Sequence, residues 1–298
     1  VQARCASPVL RGGTFMPTAA TVQPARLALG LRAVLLRGGV RVHEGSRVRA
    51  LRGSVAETAD GRVTAGAAVL AIGSAAASVA PLRNRLTGAS SHLTITEPVP
   101  DVLEEIGWTG GEAITDGRAL VHYFRTTPDG RIAFGWGGGR IVAGGRTRGT
   151  AEVDPKVVRQ VVDDLHRFFP GVAGRRVEHA WGGPIDASPS HLPTIVTLPG
   201  GRAWAVFGFT GNGVGPSHLC GRILGRLAAG VHDSLTSLAI VDPPPLRVPP
   251  EPLRWIGGTL IRDGIERKER AEEAGSRPDP VSRALAGVPR VVGVHIGR

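Results

Sequence analysis

Residues 203–218 read AWAVFGFTGNGVGPSH, an apolar run that leads into a loop with four glycines in eight residues. An apolar-periodic segment begins at Pro216 and stops at Gly230, and its i, i+3, i+4, i+7 spacing is carried by Cys220, Ile223, Leu224 and Leu227. Proline is favoured at the start of a helix and glycine just past its end. This stretch therefore predicts a strand, a glycine loop and a helix.

The glycine loop has two interpretations. Glycines let the backbone approach a ligand closely, and a helix N-terminus offers N–H groups to an electron-rich atom. The alternative is a tight strand-to-helix turn that binds nothing, and glycine spacing alone favours neither. Elsewhere the sequence lacks the dinucleotide fingerprint, a strand followed by G-x-G-x-x-G and a helix, with an acidic residue about 20 positions on. The glycines at 137–139 and 144–145 do not replace it, because no apolar helix follows them.

The first third of the chain has an α/β pattern. Pro24 opens a predicted helix that ends before Gly38, and its inward face is expected to hold Leu27, Leu31, Val34 and Leu35. Residues 40–43 alternate as in a short strand, and residues 67–72 form a continuous apolar run typical of a strand buried on both faces. This order predicts a parallel α/β domain, to which the strand, loop and helix from residue 194 onward return.

Residues 91–185 have a different sequence pattern. Short alternating runs separated by turn residues predict a mostly antiparallel sheet, and Asp154 and Pro155 open one interrupting helix. The predicted fold is therefore α/β with an α+β part: a discontinuous parallel-sheet domain over 19–85 and 194–232, and a second domain over 1–18 and 86–193. Residues 233–298 are predicted to be a Pro-rich linker and a helical tail, whose charge run from Glu266 to Glu273 is interpreted as a solvated helix face.

Composition excludes several classes of protein. The net charge is +11, but the positive residues are almost all arginine and are scattered, and the single tyrosine cannot form a stacking platform, so we expect no nucleic-acid partner. No apolar run approaches the roughly 18 residues of a membrane-spanning helix, so we expect no membrane partner. Two cysteines cannot build a disulfide framework, which makes the cytoplasm the default compartment.

Several motifs occur in a fixed order: residues 22–24 (VQP), 69–73 (VLAIG), 123–135, 179–186, 190–195 and the glycine loop. This order resembles the FAD-dependent oxidoreductases of the D-amino-acid oxidase, glycine oxidase and sarcosine oxidase superfamily, from about Gly12 to Gly230. The tail at 250–254 resembles members of the same group. The resemblance implies non-covalent FAD, a FAD-binding domain over 19–85 and 194–232, a substrate domain over 1–18 and 86–193, and hydride transfer from the carbon beside an amine. A small amine or amino acid is the implied partner.

The resemblance also implies roles for particular residues. The flavin ring is expected near the glycine loop, and the adenosine end near Gly73, Ser74 and Val48. The cofactor-binding set is thus Val48, Gly73, Ser74, Gly208, Gly211, Asn212, Gly213 and Val214. For Val48, a position in the hydrophobic core is an equally good interpretation. No protein base is required, since the flavin accepts the hydride.

Arg125 and Tyr123 are the expected substrate-binding residues. Arg125 matches an arginine that pairs with the substrate carboxylate in the amino-acid-oxidising branch, and Tyr123 could add an O–H donor. The alternative for Arg125 is a solvated strand-end arginine. His122, His191 and His218 do not have metal-ligand spacing, and no metal site is expected.

The missing fingerprint has a consequence for the whole chain. Since relatives carry it at their N-terminus, we expect this chain to be the C-terminal part of a longer flavoenzyme or the product of a truncated or misassigned reading frame. The alternative function is a non-catalytic fragment, or a subunit that needs a partner chain for FAD binding.

Overall fold

The computed structural model describes residues 2–296, which divide into two compact units. The first unit contains the described residues up to Ala20, Ser74–His191 and the described residues from Arg247 onward; the second contains Thr21–Gly73 and Leu192–Leu246. In chain order the helices are α1 (Pro24–Arg37), α2 (Pro100–Glu105), α3 (Pro155–Phe168), α4 (Val214–Ala229), α5 (Leu253–Glu273) and α6 (Pro280–Val291).

The strands are two to eleven residues long, and the two longest lie in the first unit. They are β1 (Ala50–Arg52), β2 (Val55–Glu57), β3 (Arg62–Thr64), β4 (Ala68–Leu70), β5 (Thr87–Thr96), β6 (Ala113–Thr115), β7 (His122–Thr126), β8 (Ile132–Trp136), β9 (Ile141–Val142), β10 (Val177–Ala187), β11 (Thr194–Thr197) and β12 (Ala203–Phe207).

The second unit contains two three-stranded sheets. Strands β1, β2 and β3 form an antiparallel ribbon, while β12 lies between β11, its antiparallel neighbour, and β4, its parallel neighbour. All five residues of β12 are buried, as a central strand of apolar residues requires. Helix α4 packs on this sheet through the predicted face of Cys220, Ile223, Leu224 and Leu227. It begins two residues before Pro216 and ends at Gly230 in the left-handed conformation.

Helix α1 forms where the sequence predicts it, but its predicted inward face is exposed. Leu27, Leu31, Val34 and Leu35 are between 44% and 56% exposed, and no residue of α1 is buried. The apolar spacing identified the helix correctly; within residues 2–296 no element covers that face. The predicted strand at 40–43 is wrong for a related reason, because these residues have no pairing strand in the described structure.

The first unit is built on an antiparallel sheet in the order β10-β5-β8-β7-β6, with β9 paired to β5. Helix α3 covers one face, where Phe124, Phe134, Phe168 and Phe169 pack edge-to-face or stacked around Trp108. Asp154 caps α3 by accepting hydrogen bonds from the N–H groups of Lys156 and Val157, as predicted. The mixed α/β prediction, with parallel and antiparallel sheets, is confirmed.

The tail differs from its prediction. The helical tail consists of α5, which ends at Glu273, and α6, which follows it and packs against it. The charge run on α5 is only partly a solvated face. Arg267, Arg270 and Glu272 are exposed, whereas Glu269 accepts the backbone N–H of Ala119 at 2.6 Å and Glu273 pairs with Arg118 at 2.5 Å. Buried apolar positions are sparse on α5, and its charged residues make contacts with the β6–β7 loop and with α3.

Candidate functional site

One edge of the second unit gathers most of the predicted cofactor residues. Because β4 and β12 are parallel, with Ala68 opposite Ala203 and Leu70 opposite Ala205, their carboxyl ends meet at the same edge. Gly73 follows β4 by three residues and Gly208 follows β12 directly. Ligands of open α/β sheets bind outside the carboxyl ends of the strands.

The loop between β12 and α4 is built for close backbone approach. Gly208 and Gly211 have φ values of 86° and 80°, and Thr210 also has a positive φ of 51°. Asn212 N–H donates to the carbonyl of Phe209 at 2.9 Å, which closes the turn. Helix α4 begins at Val214 with Gly213 at its N-cap and no side-chain capping hydrogen bond. Its first turn can therefore offer N–H groups to a ligand atom.

The remaining cofactor candidates are placed differently. Gly73 has a φ of 54°, and a Cβ built there meets nothing within 4 Å. Ser74 is 6% exposed and belongs to the first unit, so the predicted Gly73–Ser74 pair straddles the division of the chain. Val48 is 50% exposed in the segment that leads into β1, so the alternative of a core position for Val48 is wrong.

The sheet of the first unit has a second, partly exposed face on the side away from α3, which carries both predicted substrate residues. Arg125 lies opposite Ala133, and Tyr123 lies opposite Gly135, which in turn lies opposite Leu93. Directly opposed residues share a face, so the small side chains of Ala133 and Gly135 on β8 form a floor beside the two predicted substrate residues. The alternate residues of β7, His122 and Phe124, point into the core under α3.

Arg125 is a cation without a partner. Within the part of the chain that the structure describes, its guanidinium forms no hydrogen bond or ion pair, although the side chain is only partly exposed. Other partly buried arginines of this unit are paired, such as Arg131 with Glu178 and Arg262 with Glu266 at 2.6 Å. A planar fork of donors that is left free on a partly exposed face is available to a carboxylate.

Tyr123 is held in place by two features that the sequence did not reveal. Its hydroxyl lies 2.6 Å from Ser91 Oγ, and Ser91 donates in turn to the Trp136 carbonyl at 3.0 Å, so the phenol donates its proton to Ser91. The ring lies over Gly135, where an added Cβ would come within 2.4 Å of it. Burial raises the pKa of Tyr123, although the hydrogen bond with Ser91 acts in the opposite direction. The raised pKa keeps the phenol protonated.

The two cysteines are not reactive groups. Both are buried and free, and burial, with a smaller effect of Glu112, raises the pKa of Cys5 to about 12. Burial also raises the pKa of Cys220. A thiol must ionise to act as a nucleophile, so neither cysteine contributes chemistry near neutral pH.

In residues 2–296, no helix is long and apolar enough to cross a membrane.

Comparison with known proteins identifies the family. The family model described as DAO, FAD-dependent oxidoreductase, matches residues 1–227, well over half of the chain. The chain belongs to this family.

Curated relatives of this DAO-family chain are longer than it is. The probable oxidoreductase OrdL of Rhizobium meliloti is 28% identical over 257 residues, which cover 82% of this chain and 53% of that protein. The gamma-glutamylputrescine oxidoreductase of Escherichia coli is 28% identical over 70% of this chain and 48% of its own length. The chain thus spans about half the length of the curated relatives it matches.

Solved structures support the same fold. Glycine oxidase from Geobacillus kaustophilus aligns with a TM-score of 0.54 and 20% identity over 70% of this chain and 54% of its own. L-proline dehydrogenase from P. horikoshii aligns with a TM-score of 0.57 and 16% identity over 71% and 57%. The DAO family is FAD-dependent, and family membership favours an oxidoreductase over the non-catalytic alternative.

The glycine-loop edge fits part of FAD. Left-handed glycines and an uncapped helix N-terminus match the carbonyl edge of a flavin ring, which accepts hydrogen bonds and becomes anionic on reduction. The pyrophosphate cradle of the dinucleotide fingerprint is not in this sequence. The chain's own residues therefore suit the ring end of the cofactor.

Proposed function

We propose that the complete gene product containing this chain oxidises the C–N bond of a small amine or amino acid, with FAD as the non-covalently bound hydride acceptor. FAD, when bound, supplies the two-electron chemistry that protein side chains lack. The residues of this chain bind, orient and shield the substrate. One relative is a gamma-glutamylputrescine oxidoreductase, and two structural neighbours are a glycine oxidase and an L-proline dehydrogenase; these proteins support this substrate class.

The unpaired Arg125 carries the proposal. A buried or half-buried arginine without an anion is unfavourable unless a ligand completes it, and its fork matches a carboxylate in two parallel hydrogen bonds. Tyr123 and Gly135 form the flat surface next to Arg125, on which the apolar part of a small substrate can lie. Because the Tyr123 proton is donated to Ser91, the tyrosine would present ring surface and an oxygen acceptor to the substrate.

The two predicted domains are proposed to have separate roles. Residues 19–85 and 194–232 would bind the flavin, with Gly73, Gly208 and the loop from Gly211 to Val214 offering backbone groups. Residues 1–18 and 86–193 would bind substrate. We place the enzyme in the cytoplasm, since both cysteines are free thiols.

Anaerobic flavin reduction tests the proposal. The complete gene product, loaded with FAD, is mixed with primary amines, secondary amines and amino acids, and the flavin absorbance is recorded. At least one amine or amino acid is expected to bleach the flavin. Bleaching by alcohols or thiols alone would show that the enzyme does not oxidise carbon–nitrogen bonds.

A further inference from the structure

Six charged side chains of the first unit form a closed ring beside the core. His122 lies between two aspartates, with Nδ1 2.7 Å from Asp116 and Nε2 3.2 Å from Asp164. Each aspartate also binds an arginine, Asp116 binding Arg118 at 3.3 Å. Both arginines meet at Glu273, the last residue of α5. The charge ring therefore runs through His122, Asp116, Arg118, Glu273, Arg167 and Asp164.

The charges of this ring alternate in sign only when His122 carries two protons. Both imidazole nitrogens face carboxylate oxygens, and an ionised carboxylate only accepts hydrogen bonds, so both nitrogens must donate. With imidazolium, three cations and three anions balance. With neutral imidazole, one nitrogen lone pair would face a carboxylate, and the ring would hold a net negative charge where His122 is 1% exposed.

The ring joins three elements. His122 opens β7, Asp164 and Arg167 lie on α3, and Glu273 ends α5. Only three residues of α5 are buried, Arg254, Gly264 and Ile265, and none of them lies in its last two turns. Glu273 has a 30% exposed side chain, whereas the two aspartates are 11% exposed. Glu273 is therefore the most solvent-accessible anion of the ring. When His122 loses its second proton, Glu273 can most readily break its ion pairs with the two arginines and be solvated by water instead.

We propose that the charge ring is a proton-dependent clasp, in which the second proton on His122 fastens the C-terminal end of α5 to β7 and α3 and its loss releases that end. Strand β7 also carries Tyr123 and Arg125, so the clasp links the tail to the strand that presents them. This role does not depend on the proposed oxidase activity.

The electrostatics agree with the geometry. Burial lowers the pKa of His122, but the hydrogen bonds and charges of Asp116 and Asp164 outweigh it and raise the pKa above its ordinary value. Burial alone would raise the pKa of Asp164, yet its hydrogen bonds with His122 and Gln160 lower it to about 2. Both shifts favour the charged forms of His122 and Asp164, as the alternation of charges in the ring requires.

Other titratable groups face the ring, and an experiment must distinguish their titration from that of His122. On α5, Glu269 accepts the Ala119 N–H, and its pKa is raised by burial and by Asp116, against the Ala119 hydrogen bond and Arg118. A cavity lies beside the charge ring. The other charged groups that line it are Arg11 from the N-terminal segment, Asp163 from α3, and Glu266, Lys268, Arg270 and Glu272 from α5. Strand β8 contributes only aromatic contacts, from Phe134 and Trp136.

The sign of the pH dependence follows from the raised pKa of His122. Its contribution is complete below its unfolded pKa of about 6.5 and is lost as pH rises through the higher folded value. Asp164 works in the opposite direction, since its contribution is lost only as pH falls from about 4 toward 2. The clasp should therefore be closed in weak acid and open in alkali.

Hydrogen–deuterium exchange of residues 266–273, corrected for intrinsic exchange rates, tests the clasp between pH 6 and 9. Protection in the unchanged chain should fall with rising pH by up to about tenfold for each unit above the pKa of His122. Glu273→Gln should lose protection at pH 6 and show little further pH dependence. The matched control is Glu272→Gln, whose side chain pairs only with Lys268, and it should follow the unchanged chain.

Two further measurements make the result decisive. Glu269→Gln should keep the pH dependence, and its loss in that variant would assign the titration to Glu269 and overturn the role of His122. Nitrogen-15 spectra of the imidazole should show two N–H signals for His122 at pH 6. A neutral His122 at that pH, or protection of α5 that does not change with pH, would overturn the proposal.

Discussion

Single residues decide whether the sheet face of the first unit that points away from α3 can bind a carboxylate. Arg125 has the one side chain there with a full positive charge and no partner in the described residues, while Tyr123 donates its proton to Ser91. We therefore expect specificity for a carboxylate to depend on Arg125, and the shape of the floor to depend on Tyr123 and Gly135.

Replacing Arg125 should separate charge from geometry in the complete gene product. A desolvated bidentate contact contributes roughly 1.5–3 kcal/mol, so Arg125→Ala should raise KM for a carboxylate substrate by about tenfold to over a hundredfold. Arg125→Lys should recover only part of this, because a single ammonium cannot match both oxygens. Flavin content should not change.

Steady-state kinetics on both variants provide the measurement, with Arg176→Ala as control. Arg176 is 69% exposed in the same unit and pairs with Glu178 on the surface. Equal KM values for Arg125→Ala and the unchanged enzyme would indicate that Arg125 is a solvated residue and that the substrate is a plain amine.

A larger side chain at Gly135 is expected to destabilise the first unit for a steric reason. An alanine Cβ there would lie 2.4 Å from the Tyr123 ring, so the ring must move and the hydrogen bond to Ser91 must break. We expect Gly135→Ala to lower the free energy of unfolding by about 1–3 kcal/mol. Urea unfolding followed by tryptophan fluorescence measures this. Gly183→Ala in β10, where a Cβ meets nothing within 4 Å, should change stability by less than about 0.5 kcal/mol.

At the scale of elements, helix ends and helix faces behaved differently. The ends follow local chemistry: proline near the start, an aspartate cap, and a left-handed glycine at the end. The faces depend on neighbours. The apolar stripe of α4 is buried on its sheet, whereas the equally periodic stripe of α1 is exposed, because in residues 2–296 no element lies against it.

Two glycines of α4 should respond in opposite ways to alanine. Gly230 has a φ of 74°, and an L-residue in that conformation costs about 1–2 kcal/mol, so Gly230→Ala should destabilise the second unit by that amount. Gly225 lies inside the helix with open space around it, so Gly225→Ala should stabilise by about 0.4–1 kcal/mol. Thermal unfolding of both variants checks the pair, and a stabilising Gly230→Ala would contradict the assigned cap.

At the scale of the whole molecule, we propose that the sequence holds one end of a cofactor site. The ring-end loop is present, and the strand–glycine–helix unit that binds pyrophosphate and ribose is not. We expect the 298-residue chain alone to hold FAD weakly. The visible spectrum after FAD addition and gel filtration should show little retained flavin. A stoichiometric yellow complex would show that other residues of this chain replace the fingerprint.

The sequence by itself determined the local structures and the family. Strand, glycine loop and helix at 203–230 could be predicted because proline, glycine and apolar spacing act over a few neighbouring residues. The alternation at 91–185 likewise predicted an antiparallel sheet, and the order of motifs predicted the FAD-dependent family.

Only the tertiary structure decided which charges and surfaces meet. His122, Asp164 and Glu273 are far apart in the chain, and no local rule links them. Glu269 and Glu273, which bond to the loop between β6 and β7 and to α3, were therefore predicted to be solvated. The partnerless state of Arg125 and the contact of Tyr123 with Gly135 also depend on strand pairing. Periodicity fixes the face on which a side chain lies, but the energy of a charge or an apolar stripe depends on what packs against that face.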